Sequence, residues 1–175
     1  LAGCGFSGHP NIYYTVEENA LVIGAFLDAM GIEKAHIAAF STGALSALVY
    51  AHSNPERVGR LILVSPGGPN ENYPFALRAL TTWLGRTLFL MHLSETAVRN
   101  ILSDLFFDAT QIGPQVVAGY YKPLRYRDVR ETLVMMMMHF DDTYVRSILK
   151  SIRHRILVFS GTEDRLHTED MIRDY

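Results

Sequence analysis

An α/β fold, a parallel sheet flanked by helices with an inserted helical block, is predicted by three observations. The first is Ala35-His36-Ile37-Ala38-Ala39-Phe40, a short apolar run that leads through Ser41-Thr42-Gly43 into Ala44 to Ala51, a segment free of Gly and Pro. It reads as strand, sharp turn and helix. The second is a pair of continuous apolar runs, Leu61 to Val64 and Ile156 to Ser160. Such runs suit strands buried on both faces of a parallel sheet. The third is the stretch between them. Residues 70 to about 150 carry helical patterns and no convincing strand, so a helical block interrupts the sheet. The expected organisation is a core made of 1–69 and 151–175, with a helical cap over 70–150.

The elements follow in order. Thr15-Val16-Glu17-Glu18 has capping-box spacing, with Thr15 as N-cap and Glu18 reaching back. Ala20, Ile23, Leu27 and Met30 then recur at helical spacing, and Gly31 stops the helix. Ala35 to Phe40 is a strand, Thr42 to His52 a helix ended near Asn54-Pro55, and Leu61 to Val64 a strand closed by Pro66-Gly67-Gly68-Pro69. Helical patterns span Phe75 to His92, Glu95 to Phe107, Pro114 to Tyr121, Asp128 to Phe140 and Thr143 to Ile152. Val98, Ile101, Leu102 and Leu105 give one clear apolar face. Met135 to Met138 read as core or pocket lining.

Composition narrows the function classes. With 175 residues, 49% apolar and 19% charged, the chain can bury a core. Net charge is −2 without a Lys/Arg cluster, which argues against a nucleic-acid partner. Leu88 to Leu93 is apolar but short, and no run reaches membrane-spanning length. A single cysteine, Cys4, excludes an internal disulfide framework and favours a cytoplasmic origin. No Cys/His pair has zinc spacing, so neither metal nor cofactor is expected. Gly3-x-Gly5-x-x-Gly8 spells a dinucleotide fingerprint, but no complete strand precedes it. The chain opens at Leu1 in a glycine-rich loop and closes at Tyr175 inside a helix, so both ends read as cut.

The chemistry centres on Ala39-Phe40-Ser41-Thr42-Gly43. A serine at a sharp strand-to-helix turn has its hydroxyl lifted above the sheet edge. The helix behind it offers free backbone N–H groups to an anion. Small residues are expected two places before and after it, where Ala39 and Gly43 stand. The blander reading makes Ser41 the cap of the following helix.

These residues, with their flanks, resemble the α/β-hydrolase family over nearly the whole chain. Leu1 to Pro10 looks like the loop after the family's fourth strand. Asn54-Pro55-Glu56-Arg57-Val58 and Leu61 to Pro66 look like the entry and body of the sixth. Ile156 to Asp164 looks like the seventh strand and its acid loop. The resemblance implies Ser41 as nucleophile, Asp164 as the acid that orients a histidine, and the Thr42 N–H as one oxyanion donor. Glu163 is the neighbouring competitor. The second oxyanion donor belongs to a loop after the third strand, upstream of Leu1. The histidine is expected beyond Tyr175. None of His9, His36, His52, His92, His139, His154 or His167 is assigned as the base. His167 stands only three residues past the acid, too close to turn back to Ser41. Tyr73, Phe75, Trp83, Phe89 and the methionines suggest an apolar cap. The implied activity is serine hydrolysis of a small to mid-sized hydrophobic ester through an acyl-enzyme. The alternatives are a non-catalytic binding protein of the same fold, an acyltransferase, or a cofactor-free peroxidase relative.

Overall fold

A computed structural model describes residues 1–68 and 72–173. The expected boundary at 69/70, Pro69 of the Pro-Gly-Gly-Pro break, and Tyr175 lie outside them. The chain forms two compact units. One holds Leu1, Thr15–Gly68 and Phe140–Tyr175, and the other holds Ala2–Tyr14 and Pro69–His139. The glycine-rich loop thus groups with the helical block, and the segment after His139 groups with the sheet.

The sheet unit begins with α1, Val16–Ala29. Its capping box forms: the Glu18 N–H donates to Thr15 Oγ1 and the Thr15 N–H to Glu18 Oε2, both at 3.2 Å. Gly31, at φ 65°, ends the helix in the left-handed region. There the Ile32 N–H reaches the Leu27 carbonyl at 2.8 Å and the Gly31 N–H that of Asp28 at 3.0 Å, a Schellman closure. β1, Ala35–Phe40, leads into α2, Thr42–Ser53. β2, Val58–Val64, follows a short turn at Pro55–Arg57. Arg57 in that turn pairs with Asp28 at 2.6 Å and also donates to the carbonyls of Ile32 and Glu33. The bond to Asp28 raises the guanidinium above its ordinary pKa and pins the end of α1 to the start of β2.

β3, Arg155–Phe159, completes a parallel sheet of order β1-β2-β3, with Ala38 opposite Ile62 and Ile62 opposite Leu157. Ile37, Ala39, Leu61, Leu63, Ile156 and Val158 share the face that packs on α1 and α2. α2 is buried at every residue from Ala44 to Ala51.

The expectation that β2 and β3 are buried on both faces is corrected. Ile62, Leu157 and Phe159 are exposed, as is Phe40 on β1, at 67% of its surface. The described helices of this unit cover one face of the sheet, so the alternation of a half-covered sheet replaces continuous burial.

The helical unit contains α3, Phe75–Arg78; α4, Trp83–Met91; α5, Glu95–Leu105; α6, Pro114–Leu124; and α7, Arg127–Met138. The single helix expected from Phe75 to His92 is broken. The Thr82 hydroxyl accepts from the Gly85 N–H at 3.1 Å and starts α4 afresh. A side chain at Gly85 would overlap the Ala79 carbonyl, so only glycine lets the two pieces fold this tightly. Val98 and Leu102 of α5 pack with Ile112 and Val117, and Leu80, Phe89 and Val134 form a second cluster. Phe89 is therefore core, whereas Phe75 and Trp83 are exposed. Met137 packs on the second cluster, while Met135 and Met138 line a cavity of about 450 Å³ with Arg86 and His9. Back in the sheet unit, α8, Thr143–Ile148, precedes β3, and a short α9, Glu169–Ile172, follows it.

Two outcomes are expected from this architecture. Leu63, fully buried under α2, should cost about 2–5 kcal/mol when replaced by alanine, read as a shift in urea unfolding. Residues 1–175 expressed alone should self-associate through the open sheet face and the unpaired outer edges of β1 and β3. Sedimentation velocity should show the triple variant I62K/L157K/F159K moving toward monomer, whereas an unchanged distribution would place the association elsewhere.

Candidate active site

Ser41 sits between β1 and α2 at φ 52° and ψ −128°, a backbone region that L-residues occupy at a cost of about 1–3 kcal/mol. Two hydrogen bonds hold it there. Its N–H donates to the Val64 carbonyl on β2 at 3.0 Å, and its own carbonyl accepts from the Ala44 N–H at 2.9 Å. The side chain makes no capping hydrogen bond to α2, which removes the blander reading of Ser41 as a helix cap. Its hydroxyl instead points to the Gly67 carbonyl, 3.5 Å away. Thr42 is the first residue of α2, where backbone N–H groups lack helical acceptors. Its N–H is thus available beside the serine.

Small residues stand on both sides of the serine, at Ala39 and Gly43. A Cβ on Gly43 would find Leu1 Cδ1 at 3.7 Å, an ordinary contact, because position 43 already lies inside α2. Gly43 is compatible with the turn, and no described atom outside its own helix crowds it.

The loop after β2 meets the serine, and the loop after β3 meets the loop after β2. Ser65 has φ 41°, and its N–H donates to the Phe159 carbonyl at 2.7 Å. Gly67, at φ 150°, follows. Asp164 lies in the loop after β3, in a turn closed by its own N–H to the Gly161 carbonyl at 3.1 Å. Its Oδ1 accepts from the N–H groups of Leu166 at 2.9 Å and His167 at 3.0 Å. Oδ2 lies 3.9 Å from His167 Nδ1. Glu163 is exposed, so Asp164 is the carboxylate that this turn holds.

The three-residue spacing brings His167 back against the loop after β2. Its side chain is 3% exposed, and a Cβ added to Gly67 would come within 2.6 Å of Nε2 and closer still to Cδ2. The imidazole therefore lies against the glycine whose carbonyl faces Ser41. The spacing Asp164-x-x-His167 carries the signal that could have found it. A carboxylate that accepts from the N–H three residues ahead curls the chain and brings that residue's side chain round beside it.

The other histidines have separate surroundings. His36 lies on β1, against Gly59. His52 meets the Ser151 hydroxyl at 2.9 Å, and His154 the Pro55 carbonyl at 3.0 Å. In the helical unit His9 meets Thr132 at 3.0 Å, His139 the Met135 carbonyl at 3.0 Å, and His92 caps α4. The glycine-rich fingerprint opens no helix at Gly8. Gly3 and Gly5 take positive φ in a loop that the Gly3 N–H closes onto the Gly8 carbonyl, and the next helix starts at Val16. Among the described residues no group of three His, Cys, Asp or Glu side chains is placed to hold a metal ion.

A family model described as the alpha/beta hydrolase fold matches residues 1–92, more than half of the chain. The chain belongs to the alpha/beta hydrolase family. Among curated relatives, it is 47% identical over 154 residues to the 2-hydroxy-6-oxononadienedioate/2-hydroxy-6-oxononatrienedioate hydrolase of Paraburkholderia phymatum. That match covers 84% of this chain and 52% of the relative. It is 29% identical over 111 residues to the 2-hydroxy-6-oxo-6-phenylhexa-2,4-dienoate hydrolase of Comamonas testosteroni, covering 61% of this chain and 37% of that one. The chain thus spans about half the length, or less, of these relatives. A meta-cleavage product hydrolase from Pseudomonas fluorescens shares the fold at a TM-score of 0.79 and 22% identity, over 99% of this chain and 64% of its own. A haloalkane dehalogenase from Bradyrhizobium elkanii does so at 0.77 and 20%, over 99% and 66%. No helix among the described residues is long and apolar enough to cross a membrane.

Gly67 offers a direct check on this geometry. Gly67→Ala should destabilise the protein by more than the roughly 1–3 kcal/mol of the backbone strain alone, because the new methyl also displaces the His167 ring. A thermal unfolding midpoint equal to that of the parent would contradict the packing.

Proposed function

We propose that the whole protein is a hydrolase in which Ser41 is the nucleophile that attacks a carbonyl carbon. One observation carries this reading: a serine held in a strained strand-to-helix turn, with its hydroxyl not spent on capping the helix. Strained backbone of this kind gathers at functional sites. The C-terminal ends of parallel strands are where sites of open α/β sheets assemble.

The steps follow from the residues. A serine hydroxyl is a weak nucleophile, so an imidazole must take its proton as Oγ adds to the carbonyl. The resemblance puts that histidine after a further strand. Asp164 is the acid that orients the imidazole. The tetrahedral oxygen carries the charge, and the Thr42 N–H at the start of α2 stabilises it. Collapse expels the leaving group, which takes the proton back, and water then splits the acyl-serine to a carboxylic acid.

The leaving group decides the substrate class. The sequence alone points to a hydrophobic ester. The compounds named for the two curated relatives contain carboxylates, an oxo group and a diene or triene, and no ester or amide. Hydrolysis of such a compound breaks a carbon–carbon bond beside the 6-oxo carbon. The bond's electron pair goes to a carbon that conjugation with the rest of the oxo-acid stabilises, and a proton is added there. At 47% identity over most of this chain, we favour this carbon–carbon cleavage of an oxo-dienoic acid over ester cleavage.

Two measurements test the proposal. The whole protein should react with a fluorophosphonate at Ser41, located by peptide mapping. Ser41→Ala should lose both the label and the turnover of 2-hydroxy-6-oxonona-2,4-dienedioate, followed by loss of the dienolate absorbance. Unchanged labelling in that variant would sink the nucleophile assignment. Asp164→Asn should lower kcat by about 10²–10⁴-fold, since the imidazole loses its orienting anion. Faster turnover of p-nitrophenyl butyrate than of the dienoate would return the assignment to an esterase.

A further inference from the structure

The Asp164 carboxylate is asymmetric in its surroundings. Oδ1 is fully engaged by two backbone N–H groups, those of Leu166 and His167. Oδ2 faces the imidazole of His167, whose Nδ1 lies 3.9 Å away. The same ring is buried with its Cδ2–Nε2 edge against Gly67. Gly67 is the residue whose carbonyl stands 3.5 Å from Ser41 Oγ. One side chain thus touches both the loop that carries the acid and the loop that faces the nucleophile. The buried ring thus turns Nδ1 toward the carboxylate and its opposite edge toward Gly67, and a hydrocarbon of the same size would supply only the second of these contacts.

We propose that His167 is a positioning residue. Its backbone N–H and its ring nitrogen together set the direction of the Asp164 carboxylate, and its ring face fixes the Gly67 turn beside Ser41. It acts through Asp164 and Gly67, and it is not the base. The inference rests on the reading of Ser41 and Asp164 given above. It accounts for the glycine at 67, where a side chain would expel the ring, and for a buried histidine three residues past an acid.

The roles of shape and of the polar ring edge that faces the carboxylate separate in three variants of the whole protein. His167→Phe keeps a ring of similar size and has no nitrogen. His167→Asn places an amide N–H near the position of Nδ1. His167→Ala removes both. The readouts are the rate of Ser41 labelling by a fluorophosphonate at saturation, its half-saturation concentration, and kcat and KM for p-nitrophenyl butyrate. His167→Phe should fold with a near-parental melting temperature, yet lose at least about tenfold in the saturated labelling rate and in kcat, with KM changed less than about threefold. A tenfold loss corresponds to about 1.4 kcal/mol of transition-state stabilisation. His167→Asn should recover most of that loss, and His167→Ala should be the slowest of the three. Parental rates in His167→Phe would overturn the proposal, as would an equal loss in the Phe and Asn variants. Ser41→Ala and Asp164→Asn, measured alongside, keep the two readings apart. If those variants stay active, the nucleophile and acid assignments have failed. If they are dead while His167→Phe is unimpaired, only the role of His167 has failed.

Discussion

The backbone at Ser41 is the constraint on which the site depends. A residue at φ 52° and ψ −128° would relax if its neighbours let it. Two elements prevent that. β1 is locked in register with β2 through Phe40 opposite Val64, and the Ser41 N–H extends that ladder by one more bond to the Val64 carbonyl. On the other side α2 is buried along eight consecutive residues, Ala44 to Ala51, and cannot shift without opening the core. Burying one leucine side chain contributes about 1.5–3 kcal/mol. Leu45 and Leu48 alone therefore outweigh a local strain of about 1–3 kcal/mol. The turn is held by packing several residues away from the hydroxyl it presents.

Parallel pairing then brings the remaining groups together without further devices. Because β1, β2 and β3 run in one direction, the loops that leave their C-terminal ends are neighbours, and chemistry on one is within reach of the next. Three of the positive-φ residues fall on two of these loops: Ser41 after β1, and Ser65 and Gly67 after β2. The third loop contributes a carboxylate fixed by backbone N–H groups instead of by strain. The strand order β1-β2-β3 puts Gly67 between the serine loop and the acid loop, which is why its missing side chain matters to both.

Much of this was legible in the residues, and the failures share a cause. The boundaries of β1, the start of α2 and the capping box at Thr15 and Glu18 are local properties, written in adjacent residues, and the structure keeps them. The break at Thr82 was missed because a threonine cap and a glycine close approach are indistinguishable from an ordinary helix interior in an apolar pattern. The exposed face of Ile62 and Leu157 was missed because an apolar run reports a preference for burial, while coverage depends on which helices are present to bury it. His167 was set aside only as the base. Its place beside Asp164 and Gly67 follows from a side-chain-to-backbone turn at Asp164, which a spacing argument treats as a straight chain.

The choice between an ester and a carbon–carbon bond shows where the information about function lies. Under the proposed mechanism the first step is common to both, since Ser41 would add to a carbonyl carbon and a backbone N–H would take up the charge. Nothing in the elbow distinguishes a ketone from an ester at that stage. The difference appears on collapse, when an alkoxide leaves easily and a carbanion leaves only if it is delocalised. Delocalisation belongs to the substrate, and the protein's share is to hold the conjugated arm flat and to supply a proton at the right carbon. Those tasks fall to side chains that touch the arm, outside the segment from Ala39 to Gly43. Under that mechanism the elbow would carry the nucleophile but would not choose the bond it breaks, and the same fold serves a meta-cleavage product hydrolase and a haloalkane dehalogenase among its neighbours. For this chain the preference for a carbon–carbon bond rests on the names of its sequence relatives.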